Sequence, residues 1–323
     1  MNVLVTGGAG YIGSAAVEQL IDNSHRVVVL DNLDRGHRGA VHEDAVFVEG
    51  TLACEKTVSD IIQKHGIEAI LHFAASSQVG ESMENPAKYF TVNVADGLSL
   101  IKTACKNKIR KFILSSTAAT YGEPLTVPIT EEHVAVPTNP YGESKLILEK
   151  FLKWFYECHG MEYISLRYFN ACGATVRFGE DHTPETHLIP LILMAASGER
   201  GAISVFGDDY DTPDGTCIRD YVHIYDLASA HILALNAKGS NIYNLGNGHG
   251  FSVNEVIQAA RAVIGKPIKT AVAPRRAGDP AKLVASSDKI KKDLGWTPRY
   301  TDLAEIIETA WQWKCEHPKG YAR

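Results

Sequence analysis

The sequence predicts an α/β protein built on a parallel β-sheet with helices on both faces. Through the first half of its 323 residues, short apolar segments alternate with helical ones, which is typical of doubly wound sheets. The first apolar segment also runs into a glycine-rich turn that opens a helix. With 45% hydrophobic and 22% charged residues, the composition is ordinary for a globular chain, and the length allows two modest domains.

The first strand and its turn carry a nucleotide-binding signature. Residues 2–6 lead into the turn at residues 7–13, whose glycines fit both G-x-G-x-x-G and G-x-x-G-x-x-G. Gly7 and Gly10 permit a tight turn and a close approach of the backbone to a pyrophosphate, and Gly13 lets the helix pack against the strand. The helix N-terminus supplies unpaired N–H groups. These features predict a Rossmann-type dinucleotide site.

The acidic residue at the end of the second strand indicates which dinucleotide binds. It spans residues 26–30 and ends at Asp31, 18 residues after Gly13. A carboxylate at this place accepts hydrogen bonds from the adenosine ribose hydroxyls and repels a 2′-phosphate. The sequence therefore favours NAD over NADP, and Arg35 is the one nearby residue that would suit NADP.

Three further strands and two helices continue the alternation, at residues 46–48, 69–73, 111–114, 58–64 and 85–105. Ligands of doubly wound sheets bind beyond the carboxyl ends of the strands. Asp31, Ser77 and Thr117 follow such strand ends, so we expect them to line one crevice.

A candidate acid/base pair opens the next helix. Asn139 is a good N-cap, and Pro140 suits the first helical position. Tyr141 and Lys145 are four residues apart and share one helix face. Moving the pKa of a phenol from near 10 to near 7 requires about 4 kcal/mol, part of which a neighbouring ammonium group can supply. By itself, this spacing is most often a surface pair.

Charge and motif usage exclude several classes of function. A net charge of −6 argues against a nucleic-acid-binding surface. No apolar run is long enough to span a bilayer, and no signal peptide is recognisable, so we expect a cytoplasmic protein without a membrane partner. The six cysteines form no Cys-x-x-Cys pair, and the histidines show no zinc-ligand spacing. We therefore expect reduced thiols and no metal site.

The glycine turn, Asp31, residues 115–117 and the Tyr141-x-x-x-Lys145 pair together resemble the extended short-chain dehydrogenase/reductase family. Within that family the chain is most similar to the UDP-galactose 4-epimerases (UDP-glucose 4-epimerases), nearly end to end. The segments that carry this likeness are residues 7–14, 30–33, 72–75, 79–82, 166–170, 206–210, 214–216, 219–223, 243–246 and 273–276.

The resemblance implies an NAD-dependent epimerase that inverts C4 of a UDP-hexose through a transient 4-keto sugar, converting UDP-galactose to and from UDP-glucose. Tyr141 would take the proton from the 4-hydroxyl, and Thr117 would hydrogen-bond the 4-oxygen. Lys145 would lower the pKa of Tyr141 and hold the nicotinamide ribose. NAD would stay tightly bound because each turnover regenerates it.

The same resemblance assigns the cofactor contacts. Two of them depart from the family pattern, because Thr51 stands where aspartate is frequent and Ser77 stands where some members have lysine. The implied cofactor-binding residues are Gly7, Gly10, Tyr11, Ile12, Gly13, Asp31, Asn32, Thr51, Leu52, Phe73, Ala74, Ala75, Ser77, Asn93, Tyr141, Lys145 and Phe169.

A second set of residues would bind the UDP-sugar substrate. Arg219 and Arg276 suit a diphosphate because a guanidinium binds phosphate bidentately. From composition alone, each could equally form an ion pair with Asp220 or Asp279. The implied substrate-binding residues are Thr117, Tyr141, Asn170, His187, Leu188, Phe206, Arg219, Arg276 and Asp279.

We predict two domains that may interleave, an NAD-binding domain at residues 1–171 and a smaller mixed α/β substrate domain at residues 172–323. Residues 176–186 and 208–214 are expected to be loops. Ser252 or Asn254 should cap one helix and Thr301 the last one. The resemblance also implies a homodimer formed through the 85–105 helix and the helix that begins near Tyr141. The other elements predicted in the substrate domain, residues 172–323, are helices at residues 188–197 and 224–237 and a strand at residues 203–206.

Four other functions are alternatives to a UDP-hexose 4-epimerase. Dehydration is disfavoured, because it needs carboxylic acids where Ala118 and Ala119 follow Thr117. A 4-epimerase of UDP-N-acetylglucosamine or UDP-glucuronate stays open, since Leu283 matches a position where side-chain bulk limits N-acetyl sugars. A non-catalytic NAD-binding regulator would have no need of the Tyr141 and Lys145 pair. An NADP reductase is disfavoured by Asp31.

Overall fold

A computed structural model describes residues 1–276 and 279–321. Its centre is a seven-stranded sheet in the order β10-β6-β5-β4-β1-β2-β3, in which every neighbouring pair is parallel. The strand order reverses between β1 and β4, so the predicted doubly wound sheet is confirmed. Its strands are β1 (Asn2–Thr6), β2 (Arg26–Asp31), β3 (Val46–Glu49), β4 (Ala69–His72), β5 (Lys111–Thr117), β6 (Glu162–Tyr168) and β10 (Asn241–Leu245).

The strands are buried on both faces, which explains their unbroken apolar character. In β1, Val3 and Val5 pack with Val27 on one face, whereas Leu4 packs with Val28 on the other. This alternation follows from the two-residue period of a strand. The helices that cover the two faces are α1 (Tyr11–Asp22), α2 (Glu55–His65), α5 (Asp96–Lys106), α6 (Pro140–His159) and α8 (Ile224–Asn236).

The helix predicted at residues 85–105 is confirmed, but it contains a π-helical stretch and follows a separate short helix. Asn85 ends α3 (Val79–Glu84) and caps α4 (Pro86–Tyr89), where Pro86 takes the first position. A π-helical stretch, Phe90–Ala95, then leads into α5. Helical backbone thus runs without a break from Pro86 to Lys106, as predicted, whereas α3 and the extra residue of the π turn were not predicted.

The second half forms smaller sheets above the strand ends. The strands β7 (Asn170–Cys172), β9 (Ile218–His223), β11 (Gly250–Ser252) and β13 (Lys282–Leu283) make one mixed sheet, and β8 (Ile203–Phe206) pairs with β12 (Thr270–Ala273). Its helices are α7 (Leu188–Ser197), α9 (Val253–Ile264), α10 (Asp288–Leu294) and α11 (Leu303–Glu316). Because β10 joins the first sheet and α8 packs on α1, the two halves interleave along the chain. The division at residues 171 and 172 stays a prediction.

Helix caps show how local sequence sets the boundaries. Ser252 forms a capping box with Glu255, which decides between the two predicted caps of α9. The prediction of Thr301 for the last helix was wrong. Asp302 caps α11 instead, and its carboxylate accepts hydrogen bonds from Ala304 N at 2.6 Å and Glu305 N at 3.4 Å. An aspartate accepts more readily than a threonine at this position.

Candidate active site

The N-terminus of α6 lies directly against the turn that follows β5. The Asn139 side chain accepts a hydrogen bond from Gly142 N at 2.8 Å, as the sequence predicted. A Cβ on Gly142 would lie 2.4 Å from the Ala119 carbonyl oxygen, so only glycine permits this approach. The close packing brings the Tyr141 phenol near the Thr117 hydroxyl.

The electrostatics of Tyr141 depend on two opposing effects. Burial raises the pKa of Tyr141, and the hydrogen bond with the Thr117 side chain lowers it. Lys145 donates from Nζ to the Ser115 carbonyl oxygen at 2.9 Å, and burial lowers the pKa of Lys145 to about 8. The ammonium group therefore has a carbonyl partner one turn from the phenol, and a lowering of the Tyr141 pKa by Lys145 stays a prediction.

Asn93 ties the catalytic helix to the loop after β4. Its Oδ1 accepts from Ser76 N at 2.8 Å, and its Nδ2 donates to Ser76 O and to Ser144 Oγ, each at 2.9 Å. Ser144 in turn donates to the Tyr141 carbonyl oxygen at 2.7 Å. The amide of Asn93 thus has protein partners on both its atoms, so a direct contact of Asn93 with NAD stays a prediction.

The backbone of the turn at residues 7–13, which we call the glycine cradle, is packed so closely that Gly7 and Gly13 leave no room for a Cβ atom. Gly7 has a φ of +76°, and a Cβ there would lie 2.4 Å from Ala74 N. A Cβ on Gly13 would lie 2.1 Å from the Gly7 carbonyl oxygen. Gly10 caps α1 without any side-chain hydrogen bond, so the first N–H groups of the helix are available to an anion. These residues fit the pyrophosphate of a dinucleotide.

Asp31 lies beside the same cradle. Its carboxylate accepts hydrogen bonds from Ala9 N at 3.0 Å and from Leu33 N at 2.9 Å. Burial raises the pKa of Asp31, while these backbone hydrogen bonds lower it. Next to it, Asn32 is exposed and its Oδ1 accepts from Asp34 N at 3.1 Å.

The remaining predicted cofactor residues follow the carboxyl ends of the strands. Tyr11 instead starts α1, and its side chain is already engaged, because its hydroxyl donates to the Gly173 carbonyl oxygen at 2.5 Å. Ile12 packs into the apolar core beside the first sheet. The strand-end positions are Thr51 and Leu52 after β3, Phe73, Ala74, Ala75 and Ser77 after β4, and Phe169 after β6.

The predicted substrate cations already have partners within the chain. Arg219 Nη2 lies 3.4 Å from Asp279 Oδ1, and Arg219 Nη1 donates to the Pro280 carbonyl oxygen at 2.8 Å. The guanidinium carbon of Arg276 lies 4.0 Å from the centre of the Phe206 ring. For Arg219, the ion-pair alternative with Asp279 is thus what the structure contains.

Asp220, the other predicted ion-pair partner, faces a different way. Its carboxylate accepts from Asn247 N, Gly248 N and Ala285 N at 2.8, 3.0 and 3.1 Å. Burial raises the pKa of Asp220 to about 6 against these hydrogen bonds. Asn170 lies alongside and donates from Nδ2 to the Asp220 carbonyl oxygen at 3.2 Å.

His187 and Leu188 begin α7, and His187 belongs to a cluster that we did not predict. The ligand atoms of Glu180, His182, Glu185 and His187 all lie within 4.8 Å of one another. Burial alone would raise the pKa of Glu180, but His187 and His182 hold it at about 2. The expectation of no metal site stays a prediction, but the sequence reasoning missed this cluster, because an irregular loop follows no helix or strand spacing. The signal was the Glu-x-His-x-x-Glu-x-His pattern.

Two negative findings concern the described part of the chain. Within residues 1–276 and 279–321, no helix combines the length and apolar character needed to cross a bilayer. The same residues include six cysteines, and all six are free thiols.

The family of the protein follows from comparison with known sequences. Residues 3–246 match the NAD dependent epimerase/dehydratase family. The chain belongs to this family. The predicted resemblance and the choice of NAD as cofactor are thereby confirmed. In a family that holds both epimerases and dehydratases, Ala118 and Ala119 after Thr117 lack the acids that dehydration needs.

Individual members of the family resemble the chain over its whole length. The UDP-glucose 4-epimerase of Halalkalibacterium halodurans is 51% identical over 328 residues, with 100% of this chain and 98% of that protein covered. A crystal structure of a UDP-glucose 4-epimerase has a TM-score of 0.97 at 52% identity, and 100% of both chains is covered. The UDP-glucose 4-epimerase of Brucella ovis, solved in complex with NAD, has a TM-score of 0.94 at 45% identity, covering 97% of this chain and 98% of that chain.

Proposed function

We propose that the protein is an isomerase that inverts C4 of a UDP-hexose with NAD as a tightly bound cofactor, and that it interconverts UDP-galactose and UDP-glucose. The observation that carries this proposal is the proximity of Tyr141 to Thr117 at the sheet edge that also holds the glycine cradle. The names of the relatives given above support it. When bound, NAD supplies an acceptor for the C4 hydride and later returns it.

The chain itself supplies the proton chemistry. Tyr141 takes the proton from the sugar 4-hydroxyl and gives it back after the 4-keto sugar has turned over. The Thr117 hydroxyl lowers the pKa of Tyr141 and holds the sugar 4-oxygen. Lys145, fixed by the Ser115 carbonyl oxygen, holds the nicotinamide ribose. Ala118 and Ala119, the two positions after Thr117, carry no acid that could expel water.

Bound NAD would be held by residues that follow the carboxyl ends of strands in the first sheet. The N–H groups at the start of α1 bind the pyrophosphate, and Asp31 binds the adenosine ribose. Thr51 and Ser77 replace stronger partners of the family pattern, so the affinity for NAD rests more on the glycine cradle. The proposed NAD contacts are those given in the sequence analysis, with Tyr11 contributing its backbone because its hydroxyl is bonded to Gly173.

Substrate binding must change the contacts that the two predicted phosphate-binding arginines make within the chain. We assign the diphosphate to Arg219 and Arg276 and the uridine ribose to Asp279. Diphosphate binding would then exchange the Arg219 to Asp279 ion pair for two new contacts. Phe206, which Arg276 covers, is assigned to the uracil. Asn170, Leu188 and the backbone of His187 are assigned to the sugar and the nucleotide.

Leu283 is the residue that we expect to limit which UDP-sugars the protein accepts. Leu283 is directly opposite Arg219 in the pairing of β13 with β9, so its side-chain size can influence the pocket near the diphosphate. We expect UDP-galactose to be preferred over UDP-N-acetylgalactosamine. Measuring kcat/KM for both sugars in the wild type and in Leu283→Gly tests this, because equal discrimination in the two proteins would contradict a role for Leu283.

We also propose a homodimer formed through the region of α3 to α6. Large apolar side chains are exposed there, with Met83 at 62%, Phe90 at 38% and Trp154 at 66% exposure. Light scattering should give twice the chain mass for the wild type, and Trp154→Glu should weaken the dimer. A monomer at micromolar concentration would contradict this part of the proposal. A cytoplasmic location remains an expectation from the sequence.

The proposed activity is tested by supplying UDP-galactose to the purified protein without added NAD. We expect UDP-glucose to form until the two sugars reach equilibrium, as followed by proton NMR. Turnover that occurs only with stoichiometric consumption of added NAD would replace the proposal with a dehydrogenase. NAD binding without any turnover would favour the non-catalytic regulator.

A further inference from the structure

The loop between β7 and α7 holds a cluster of four potential metal ligands, Glu180, His182, Glu185 and His187. His182 Nδ1 lies 2.8 Å from Glu180 Oε1, and His187 Nδ1 lies 3.1 Å from the same oxygen. His187 Nδ1 also lies 2.8 Å from Glu185 Oε1. The four ligand atoms therefore converge on one small volume.

Hydrogen bonds account for two of these contacts, His182 Nδ1 with Glu180 Oε1 and His187 Nδ1 with Glu185 Oε1, each at 2.8 Å. Each imidazole Nδ1 carries at most one hydrogen, yet His187 Nδ1 faces the carboxylates of both Glu180 and Glu185. Glu180 Oε1 in turn faces both imidazoles. The further contact of His187 Nδ1 with Glu180 Oε1 at 3.1 Å joins the two hydrogen-bonded pairs into one group of four ligand atoms, as in a coordination site.

The burial and the charge of the two carboxylates also favour a bound cation. The side chains of Glu180 and Glu185 are only 7% and 6% exposed. Among residues 1–276 and 279–321, the only basic groups within 4.0 Å of these carboxylates are the two imidazoles. Buried carboxylates normally require a full positive charge as partner, because their desolvation is costly. Each imidazole could supply at most one positive charge, whereas one divalent cation balances both carboxylates and takes both imidazoles as neutral ligands.

We propose that this cluster binds one divalent transition-metal ion, with Zn²⁺ as the best fit, through two imidazole nitrogens and two carboxylate oxygens. Mixed nitrogen and oxygen ligands suit Zn²⁺ and do not suit Mg²⁺ or Ca²⁺. In a tetrahedral zinc site the ligand atoms lie about 3.3 Å apart, and the observed atoms need only small movements to reach this. A cavity of about 240 Å³, lined by Glu180, His182 and Glu185, adjoins the cluster and provides a path for the ion.

The role we assign to the ion is structural. The loop contacts the cofactor half through Tyr11 Oη to Gly173 O at 2.5 Å, His37 Nε2 to Asp181 O at 2.8 Å and Gln78 Nε2 to Pro184 O at 2.7 Å. With four protein ligands, the ion has no open position for substrate. It fixes the loop that joins the two halves and the start of α7.

The first test measures zinc directly on untagged protein. After removal of metal with a chelator and equilibrium dialysis against micromolar Zn²⁺, we expect one zinc per chain by mass spectrometry, and none retained with Mg²⁺ alone. We also expect Zn²⁺ to raise the melting temperature of the metal-free protein. Zinc well below one per chain would overturn the proposal.

Variants then locate the ion. His182→Ala and Glu180→Gln should each lose most of the bound zinc, whereas His159→Ala, which removes an exposed histidine outside the cluster, should keep it. Equal zinc in the cluster variants would overturn the proposal. If these variants do not fold, the wild type loaded with Co²⁺ provides the second measurement. Strong visible bands of tetrahedral Co²⁺ are expected, and a weak octahedral spectrum would overturn the assignment.

Discussion

Glu149 and Arg167 form a buried two-point ion pair beneath the helix that carries Tyr141. Arg167 Nε lies 3.0 Å from Glu149 Oε1, and Arg167 Nη2 lies 2.6 Å from Glu149 Oε2. Ser116 Oγ donates to Glu149 Oε1 at 2.6 Å, so the pair joins α6 to both β5 and β6. The side chains are 3% and 5% exposed. Glu149 also acts to raise the pKa of Lys145, one turn away along α6.

Removing one charge of this pair should be costly. Glu149→Gln leaves the Arg167 guanidinium buried with a weaker partner, and we expect a loss of about 3–5 kcal/mol in the free energy of unfolding. Urea denaturation measures it. Glu157→Gln, an exposed change on the same helix, should stay within about 0.5 kcal/mol of the wild type. A Glu149→Gln protein as stable as this control would show that the pair contributes little.

Lys145 should lower the stability of the NAD-free protein. Its folded pKa of about 8 lies below the unfolded value near 10.4, so at pH 7 the folded state carries an unfavourable buried charge. Between about pH 8 and pH 10.4 the unfolded state binds more protons, and the stability contributed by this group rises with pH. Lys145→Met should therefore stabilise the protein at pH 7 by up to about 3 kcal/mol, and the gain should shrink as pH rises.

The check on Lys145 is a denaturation series over pH with a matched control. Lys150→Met removes an exposed lysine from the same helix and should show no such pH dependence. If Lys145→Met destabilises the protein equally at every pH, the lysine is not under electrostatic strain and its burial is compensated.

The Thr117 hydroxyl should set the pH profile of turnover. Its hydrogen bond lowers the pKa of Tyr141, so Thr117→Val should raise that pKa and move the acidic limb of kcat to higher pH. At neutral pH we expect kcat to fall about 10- to 100-fold. Thr117→Ser should restore most of the activity and the original limb. An unshifted profile in Thr117→Val would mean that the hydroxyl only packs against the phenol.

Tyr141→Phe tests the proton-transfer role itself. The variant keeps the aromatic ring but has no ionisable group, so kcat should fall about 100-fold or more. Binding of NAD and UDP should change little by calorimetry. Tyr156→Phe, on the exposed side of the same helix, should have normal kinetics. Turnover by Tyr141→Phe near that of the wild type would assign the proton transfer to another group.

The cofactor half was largely predictable from the sequence because local rules determine it. A strand, a glycine turn and a terminal aspartate fix the positions of Gly7 and Asp31, and the Asn139-Pro140 pair fixes the start of α6. The short helix α3 and the π stretch were missed. The π stretch contains Asn93, whose amide is hydrogen-bonded to Ser76 and Ser144 in contacts that join distant segments.

The second half was less predictable because its contacts join distant segments. The pairing of Arg219 with Asp279 and the stacking of Arg276 on Phe206 bring together residues about 60 to 70 positions apart. The Glu180 to His187 cluster lies on a loop without regular periodicity, so no hydrophobic pattern indicates which side chains converge. Thr301 was displaced as a cap by its neighbour Asp302, an error of one residue that is common at helix ends.

The central claim is that the hydrogen at C4 leaves the sugar and returns to the same carbon within one active site. The most direct measurement supplies UDP-galactose that carries deuterium at C4, in ordinary water and without added NAD. The account predicts that the UDP-glucose formed retains the deuterium at C4, as seen by mass spectrometry and NMR. Replacement of that deuterium by solvent hydrogen during turnover would contradict it.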